Sequence, residues 1–167
     1  LLGEQLASLH RESKEYYGLD HNNYIGRLEQ RNTPCKNWID FFVQHRLEVQ
    51  LGLAIYNNHI DSQYADKFRR IYSVLPNELP EEEPSLLHGD LWSGNVMPGV
   101  DGLPTVYDPA VYYGSREMEI AFTHLFGGFD RSFYTSYHDS FPLTPGFNER
   151  IDLYNLYPLL VHVNLFG

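Results

Sequence analysis

The sequence has almost no cysteine: Cys35 is the single thiol in 167 residues. One thiol excludes an internal disulfide and a four-cysteine zinc site, and a reducing, cytoplasmic compartment is the natural expectation. Cys35 itself reads as an inert thiol near a helix start. No run approaches the roughly 18 consecutive apolar residues of a membrane span. The N-terminus lacks the basic segment and apolar stretch of a secretory signal. Positive charge is scarce, with 12 Lys and Arg against 22 Asp and Glu, a net charge of −10. Such a chain is a poor partner for nucleic acid. Repeats and low-complexity segments are absent, and so is an initiator methionine. Leu2, Leu6 and Leu9 already stand at helical spacing, and the chain stops just after a strongly apolar run. Both ends are expected to be cuts through a larger protein.

What is present is apolar and aromatic: 43% hydrophobic residues, with 13 Tyr and 10 Phe. That suits one packed domain and argues against disorder. An amphipathic helix is expected over residues 1–13 and a polar loop from Gly18 to Gly26. Trp38, Phe41, Phe42, His45, Val49 and Leu53 have helical periodicity through most of 38–57. Asp61 can cap a further helix that buries Tyr64, Phe68, Ile71, Tyr72 and Leu75. Pro76 to Pro84 holds three prolines and four glutamates and reads as an exposed connector. Residues 95–97 and 104–107 read as two short strands turning at Asp101-Gly102. Helical spacing returns from Arg116, over 131–140, and from about Asn148, where Pro158 is expected to kink the last helix or mark its start. The fold class is therefore α+β, mostly α, with one short β-hairpin.

The chemistry concentrates in His88-Gly-Asp-Leu-Trp-Ser-Gly-Asn95 and in Tyr107-Asp-Pro-Ala110. Phosphoryl transfer to an alcohol needs a carboxylate to accept the hydroxyl proton. It also needs hard oxygen ligands for the metal that bridges the phosphates. An acidic chain can bind such a substrate through that metal. Asp90 and Asn95 have the Asp-x-x-x-x-Asn spacing of a kinase catalytic loop. The hairpin over 96–107 then returns the chain so that Asp108 arrives beside Asn95. Gly89 and Gly94 permit tight loop geometry.

These residues resemble the catalytic loop of aminoglycoside-phosphotransferase and choline-kinase-type enzymes, within the protein-kinase-like fold. The fuller set is similar to the fructosamine/ketosamine-3-kinase family. It comprises Asn23-Tyr-Ile-Gly26, Leu87 to Asn95, Asp108-Pro-Ala-Val-Tyr-Tyr-Gly114, Arg116-Glu-Met-Glu119, Leu125-Phe-Gly-Gly-Phe129 and Leu160 to Gly167. The resemblance covers the whole chain. It implies Asp90 as catalytic base, Asn95 and Asp108 as Mg²⁺ ligands, and ATP as phosphoryl donor. The implied acceptor is the 3-hydroxyl of a ketosamine, free or protein-linked, whose phosphorylation releases the amine. It also implies that residues 1–167 are a C-terminal lobe. No Gly-rich phosphate loop or ATP-binding Lys precedes the helices, so the nucleotide-binding N-terminal lobe is its expected partner and the chain alone is expected to be inactive. The alternatives are a kinase of the same fold acting on an aminoglycoside, choline or a homoserine-like alcohol, or a non-catalytic binding module.

The remaining expectations are local. Glu119 stands where Asp is expected in Arg-x-x-Asp and is assigned to supporting the loop from beneath. His88 is assigned to bracing the loop backbone. Trp92 either lines the acceptor pocket or packs the loop. Asn23 and Tyr24 are candidates for substrate contact or a simple turn, and Tyr112, Tyr113 and Arg116 for reaching substrate from behind Asp108. His45, His59, His124, His138 and His162 have no metal-ligand spacing and read as packing or surface residues. Glu81-Glu82-Glu83 reads as a solvated linker.

Overall fold

The computed structural model describes residues 1–167. Seven α-helices surround three two-stranded antiparallel sheets. α1 (Leu2–His10) packs on α6 (Arg131–Ser140). α5 (Arg116–Thr123) packs on α7 (Phe147–Phe166). A segment over residues 38–56 forms one helical rod in three pieces: α2 (Trp38–Phe42), a π-turn (Val43–Leu47) and α3 (Glu48–Tyr56). The side chain of Asn37 caps its start by accepting from the Asp40 amide at 3.0 Å. The extra residue of the π-turn rotates Arg46 and Leu47 into the interior, where both are fully buried.

α4 (Tyr64–Glu78) buries Phe68 and Leu75 against the core. It runs straight through Pro76, and α7 likewise runs from Phe147 through Pro158 without interruption. The expected connector therefore begins only at Leu79, and Pro158 does not start the last helix. Tyr64, expected inside, lies 42% exposed. The polar stretch expected as a loop from Gly18 holds a small hairpin, β1 (Asn23–Ile25) with β2 (Leu28–Gln30). Three-residue strands give too little alternation to register as a period of two.

The remaining strands carry the loop. β3 (Ser85–Leu87) pairs with β6 (Tyr112–Gly114), and β4 (Val96–Pro98) pairs with β5 (Pro104–Val106). The second pair is the hairpin expected from the sequence, with Val96 opposite Val106. The β3–β6 pair brings the two ends of the loop-bearing segment together, so residues 88–111 emerge from a fixed base. One hydrophobic core of 26 buried residues lies under this base, with Leu87, Leu91 and Tyr112 in it.

All eight residues of α5 are buried, including Arg116, Glu117 and Glu119. Each charge has a partner, as buried charges require. Arg116 pairs with Glu82 at 2.7 Å, Glu117 with Arg150 at 2.6 Å, and Glu119 meets His10 at 2.8 Å. Glu82 is thus not part of a solvated run. It accepts from Arg116 and from Thr144, and its backbone carbonyl accepts from Tyr17.

Two glycines test this packing with opposite signs. A methyl group on Gly3 would collide with the backbone of Phe133 and Tyr137 on α6, whereas one on Gly52 would meet nothing within 4 Å. Gly3→Ala is expected to destabilise the fold by about 1–3 kcal/mol through overpacking. Gly52→Ala in exposed α3 is expected to stabilise it by about 0.5–1 kcal/mol through helix propensity. Thermal or urea denaturation of the two variants checks both.

Candidate active site

The loop after β3 is built on a buried carboxylate. Glu119 of α5 accepts from the amide of His88 at 3.0 Å and from the amide of Gly89 at 2.6 Å. It also contacts His10 Nε2 at 2.8 Å. The other nitrogen of His10, Nδ1, lies 2.8 Å from the hydroxyl of Tyr137. A ring protonated at Nε2 satisfies both contacts. Burial alone would raise the Glu119 pKa. The hydrogen bonds from His10 and from the Gly89 amide outweigh it and hold the carboxyl below its usual range.

Gly89 has φ +84°, and a Cβ there would meet the Ala110 carbonyl. Only glycine fits this crossing of the loop with the 108–111 segment. His88 is 3% exposed. Its Nε2 donates to the Tyr107 carbonyl at 3.0 Å and its Nδ1 accepts from the Asp90 amide at 3.3 Å. The Ala110 amide donates to the His88 carbonyl at 2.8 Å. Histidine thus stitches the loop to the far end of the hairpin.

Past Gly89 the chain forms a 3₁₀ turn, Ser93–Asn95, and enters β4. Asn95 Nδ2 donates to the Asp90 carbonyl oxygen at 2.8 Å and to Asp90 Oδ2 at 3.2 Å. That commits the amide nitrogen inward and leaves Asn95 Oδ1 free of intramolecular hydrogen bonds. At the other end of the hairpin the Tyr107 amide donates to the Asn95 carbonyl at 3.1 Å. Asp108 follows at φ +56°, a left-handed conformation uncommon for a residue with a Cβ. Desolvation raises the Asp90 pKa, and the Asp108 and Glu119 carboxylates add to that. His88 and the Asn95 hydrogen bond oppose it without cancelling it.

Asp90, Asn95 and Asp108 line one cavity of about 380 Å³. Trp92 lines it too, so the loop tryptophan faces the cavity while also packing its ring over Gly94. The far wall is apolar and aromatic. Phe126 meets Trp92 edge to face at 6.3 Å and stacks on His162 at 4.5 Å, with Phe166 4.9 Å beyond. Pro158, Val161 and Leu165 of α7 complete that wall. Two carboxylates and an amide oxygen at one end are hard donors of the kind a magnesium ion takes. The aromatic end suits the C–H face of a small polar molecule.

Five residues expected to reach substrate, Asn23, Tyr24, Tyr112, Tyr113 and Arg116, do not line this cavity. Asn23 Oδ1 accepts from Gln30 and Asn32, and its Nδ2 donates to the Val111 carbonyl at 2.7 Å, so its polar atoms serve the scaffold. Tyr112 is 1% exposed and donates to the Met118 sulfur. Arg116 is committed to Glu82 and to the carbonyls of Phe141 and Pro142. Tyr24 is 65% exposed and its side chain stands outside the cavity, whereas its neighbours Ile25 and Gly26 form part of the wall. The cavity also holds residues that the pattern reading left out: Phe122, Phe126 and His162. The signal for Phe126 and His162 lay in the Leu125–Phe129 and Leu160–Gly167 runs, which carry the family resemblance without an assigned role, whereas Phe122 stands in neither.

The Glu119 anchor has a measurable consequence. Glu119→Gln keeps the shape, removes the charge facing His10 and presents one amide group to backbone N–H donors. It is expected to lower stability by about 3 kcal/mol at neutral pH. A carboxyl whose folded pKa is depressed contributes stability above its unfolded value near 4.5, and loses it as pH falls through the lower folded value. The gap between parent and variant should therefore close on acidification. Urea denaturation from neutral pH down to about pH 3 checks this.

A family model described as fructosamine kinase matches residues 1–167. The chain is 44% identical to a probable ketoamine kinase of Enterococcus faecium, covering 99% of this chain and 61% of that relative. It is also 44% identical to a chloroplastic protein-ribulosamine 3-kinase of Oryza sativa subsp. indica, covering 99% of this chain and 49% of that one. A crystal structure of a fructosamine-3-kinase-type protein from Thermobifida fusca superposes with a TM-score of 0.93 at 36% identity, covering 99% of this chain and 58% of that chain. The chain thus spans about three fifths or less of the length of these relatives. With the match extending over every residue, the chain belongs to the fructosamine kinase family.

Proposed function

We propose that the whole protein transfers the γ-phosphoryl group of ATP to the 3-hydroxyl of a ketosamine, with residues 1–167 as the C-terminal lobe of a protein-kinase-like fold. The observation that carries this reading is the sharing of one cavity by Asp90, Asn95 and Asp108. In this reading Asp90 orients the acceptor hydroxyl and accepts its proton as the oxygen attacks the phosphorus. Asn95 holds the Asp90 carboxylate through its Nδ2 contact at 3.2 Å and keeps its own Oδ1 outward. Asn95 Oδ1 and the Asp108 carboxylate would hold Mg²⁺. When bound, the metal neutralises the charge on the phosphates. The donor set fits: two oxygen ligands from protein, with nucleotide and water left to complete the shell.

Trp92, Phe126 and His162 would take the apolar face of the sugar. The acceptor in this reading is a sugar–amine adduct, free or on a protein, whose C–H face the aromatic wall can stack against. The nucleotide is assigned to the N-terminal lobe, which relatives of greater length have room for and which would close over Asp108. On this account residues 1–167 alone have no measurable turnover. A cytosolic setting agrees with the single reduced thiol.

Asp90→Asn separates chemistry from folding. Burial raises the Asp90 pKa, so its charge disfavours the folded state once pH exceeds the unfolded carboxylate value. Asparagine relieves that. In the full-length protein the variant is expected to lose at least about 10³-fold in kcat/KM for a ketosamine, with a thermal midpoint no lower than the parent's. Phosphate release from ATP coupled to product identification measures the first, and calorimetry the second. Parent-like turnover by the variant would remove Asp90 from the chemistry.

A further inference from the structure

Arg46 is a fully buried cation without a carboxylate. None of the ion pairs in the chain includes it. Its guanidinium lies 4.0 Å from the ring centre of Tyr112, 4.6 Å from Phe41 and 5.6 Å from Tyr157. It donates to the Arg31 carbonyl at 2.5 Å, to the His45 carbonyl at 3.1 Å and to Asn32 Oδ1 at 2.8 Å. Aromatic faces and carbonyl dipoles make a burial of this kind tolerable, but they do not explain why a cation stands there.

The explanation lies in the amides it faces. An asparagine side chain can rotate to exchange its oxygen and nitrogen, whereas a guanidinium can only donate. Arg46 therefore fixes Asn32 with Oδ1 toward it. Asn32 Nδ2 is left to donate to Asn23 Oδ1 at 2.8 Å and to the His21 carbonyl at 3.1 Å. Asn23 Oδ1, which also accepts from Gln30 at 2.9 Å, leaves Asn23 Nδ2 to donate to the Val111 carbonyl at 2.7 Å. Gln30 is fixed the same way from the other side. Burial pushes the Tyr157 phenol up to about 12, so it stays protonated and donates to Gln30 Oε1 at 2.9 Å. Gln30 Nε2 then reaches the Ala110 carbonyl at 3.0 Å. Donors thus run from the cation through Asn32 and Asn23 to the Val111 carbonyl, and from the Tyr157 phenol through Gln30 to the Ala110 carbonyl, so that both lines end on the backbone just past Asp108. Such an aligned chain strengthens each of its bonds.

We propose that Arg46 is a positioning residue for Asp108. Its guanidinium sets the direction of the Asn32–Asn23 relay that pins the Val111 carbonyl, beside the Gln30 bond to Ala110, and so helps hold Asp108 at φ +56°. This role rests on the reading of Asp108 as a metal ligand. Arg46→Met removes the donors at similar volume. Asn32→Ala cuts the relay while leaving Arg46 in place, and decides the matter if the first variant does not fold. Arg46→Lys, which still only donates, serves as the conservative rescue.

Two readouts are needed in the full-length protein. Amide hydrogen exchange is expected to rise in residues 108–113 and 21–32 of the Met and Ala variants and to stay at parental values elsewhere. The Mg²⁺ concentration for half-maximal activity is expected to rise about tenfold, as loss of an outer support to a metal ligand does, with KM for the ketosamine unchanged and with partial recovery in the Lys variant. Parental exchange at 108–113, or a rise spread evenly over the chain, would overturn the proposal. If the parent phosphorylates no ketosamine, the functional reading falls while the exchange arm still decides the role of Arg46.

Discussion

The loop after β3 depends on one buried carboxylate. Glu119 takes the amides of His88 and Gly89 on two oxygens and the ring of His10 on one of them. Its helix is buried at every position, so a charge there is tolerable only with all of those donors present. The same contact joins three remote parts of the chain: α1, the loop after β3, and α5. It fixes the backbone around Gly89, and the side chains that follow inherit that constraint.

From this base the oxygens of the cavity are placed by two different devices. Asp90 and Asn95 are placed locally, by a tight turn and by mutual hydrogen bonds within the loop. Asp108 is placed from outside, through the hairpin, the His88 carbonyl and the amide relay that begins at Arg46. A residue forced into a left-handed backbone needs this over-determination, because its relaxed conformation lies elsewhere. The apolar wall comes from yet another source, the end of α7 and the Phe126 turn, where φ is +54°. Polar and apolar halves of the cavity are thus built by separate parts of the chain.

The sequence made the local part of this legible. The five-residue spacing of Asp90 and Asn95, the Asp101-Gly102 turn and the strands around it all act over short distances, and pattern reading follows such signals well. Helices of α1, α5 and α6 were visible for the same reason. What escaped notice acts over long separations. His10 meets Glu119 across 109 positions, and Tyr157 meets Gln30 across 127. Nothing in the neighbourhood of either residue announces its partner. Asn23, Tyr112 and Arg116 stood in motifs with functional character, yet their polar atoms serve the scaffold. Local rule makes Pro76 the start of a connector and Pro158 a kink or the start of the last helix, yet α4 and α7 both continue as helix past them. The glutamate run misled similarly: Glu82 has the composition of a linker and the environment of a buried partner.

The central claim is that Asp90, Asn95 and Asp108 form a single phosphoryl-transfer centre. A crystal structure of the full-length protein with Mn²⁺ in place of Mg²⁺, a non-hydrolysable ATP analogue and a ketosamine tests it most directly. The account predicts anomalous density for manganese within about 2.0–2.3 Å of Asn95 Oδ1 and an Asp108 carboxylate oxygen. It also predicts the sugar 3-hydroxyl within about 3.2 Å of the Asp90 carboxylate. Metal bound elsewhere, or an acceptor hydroxyl held away from Asp90, would contradict it.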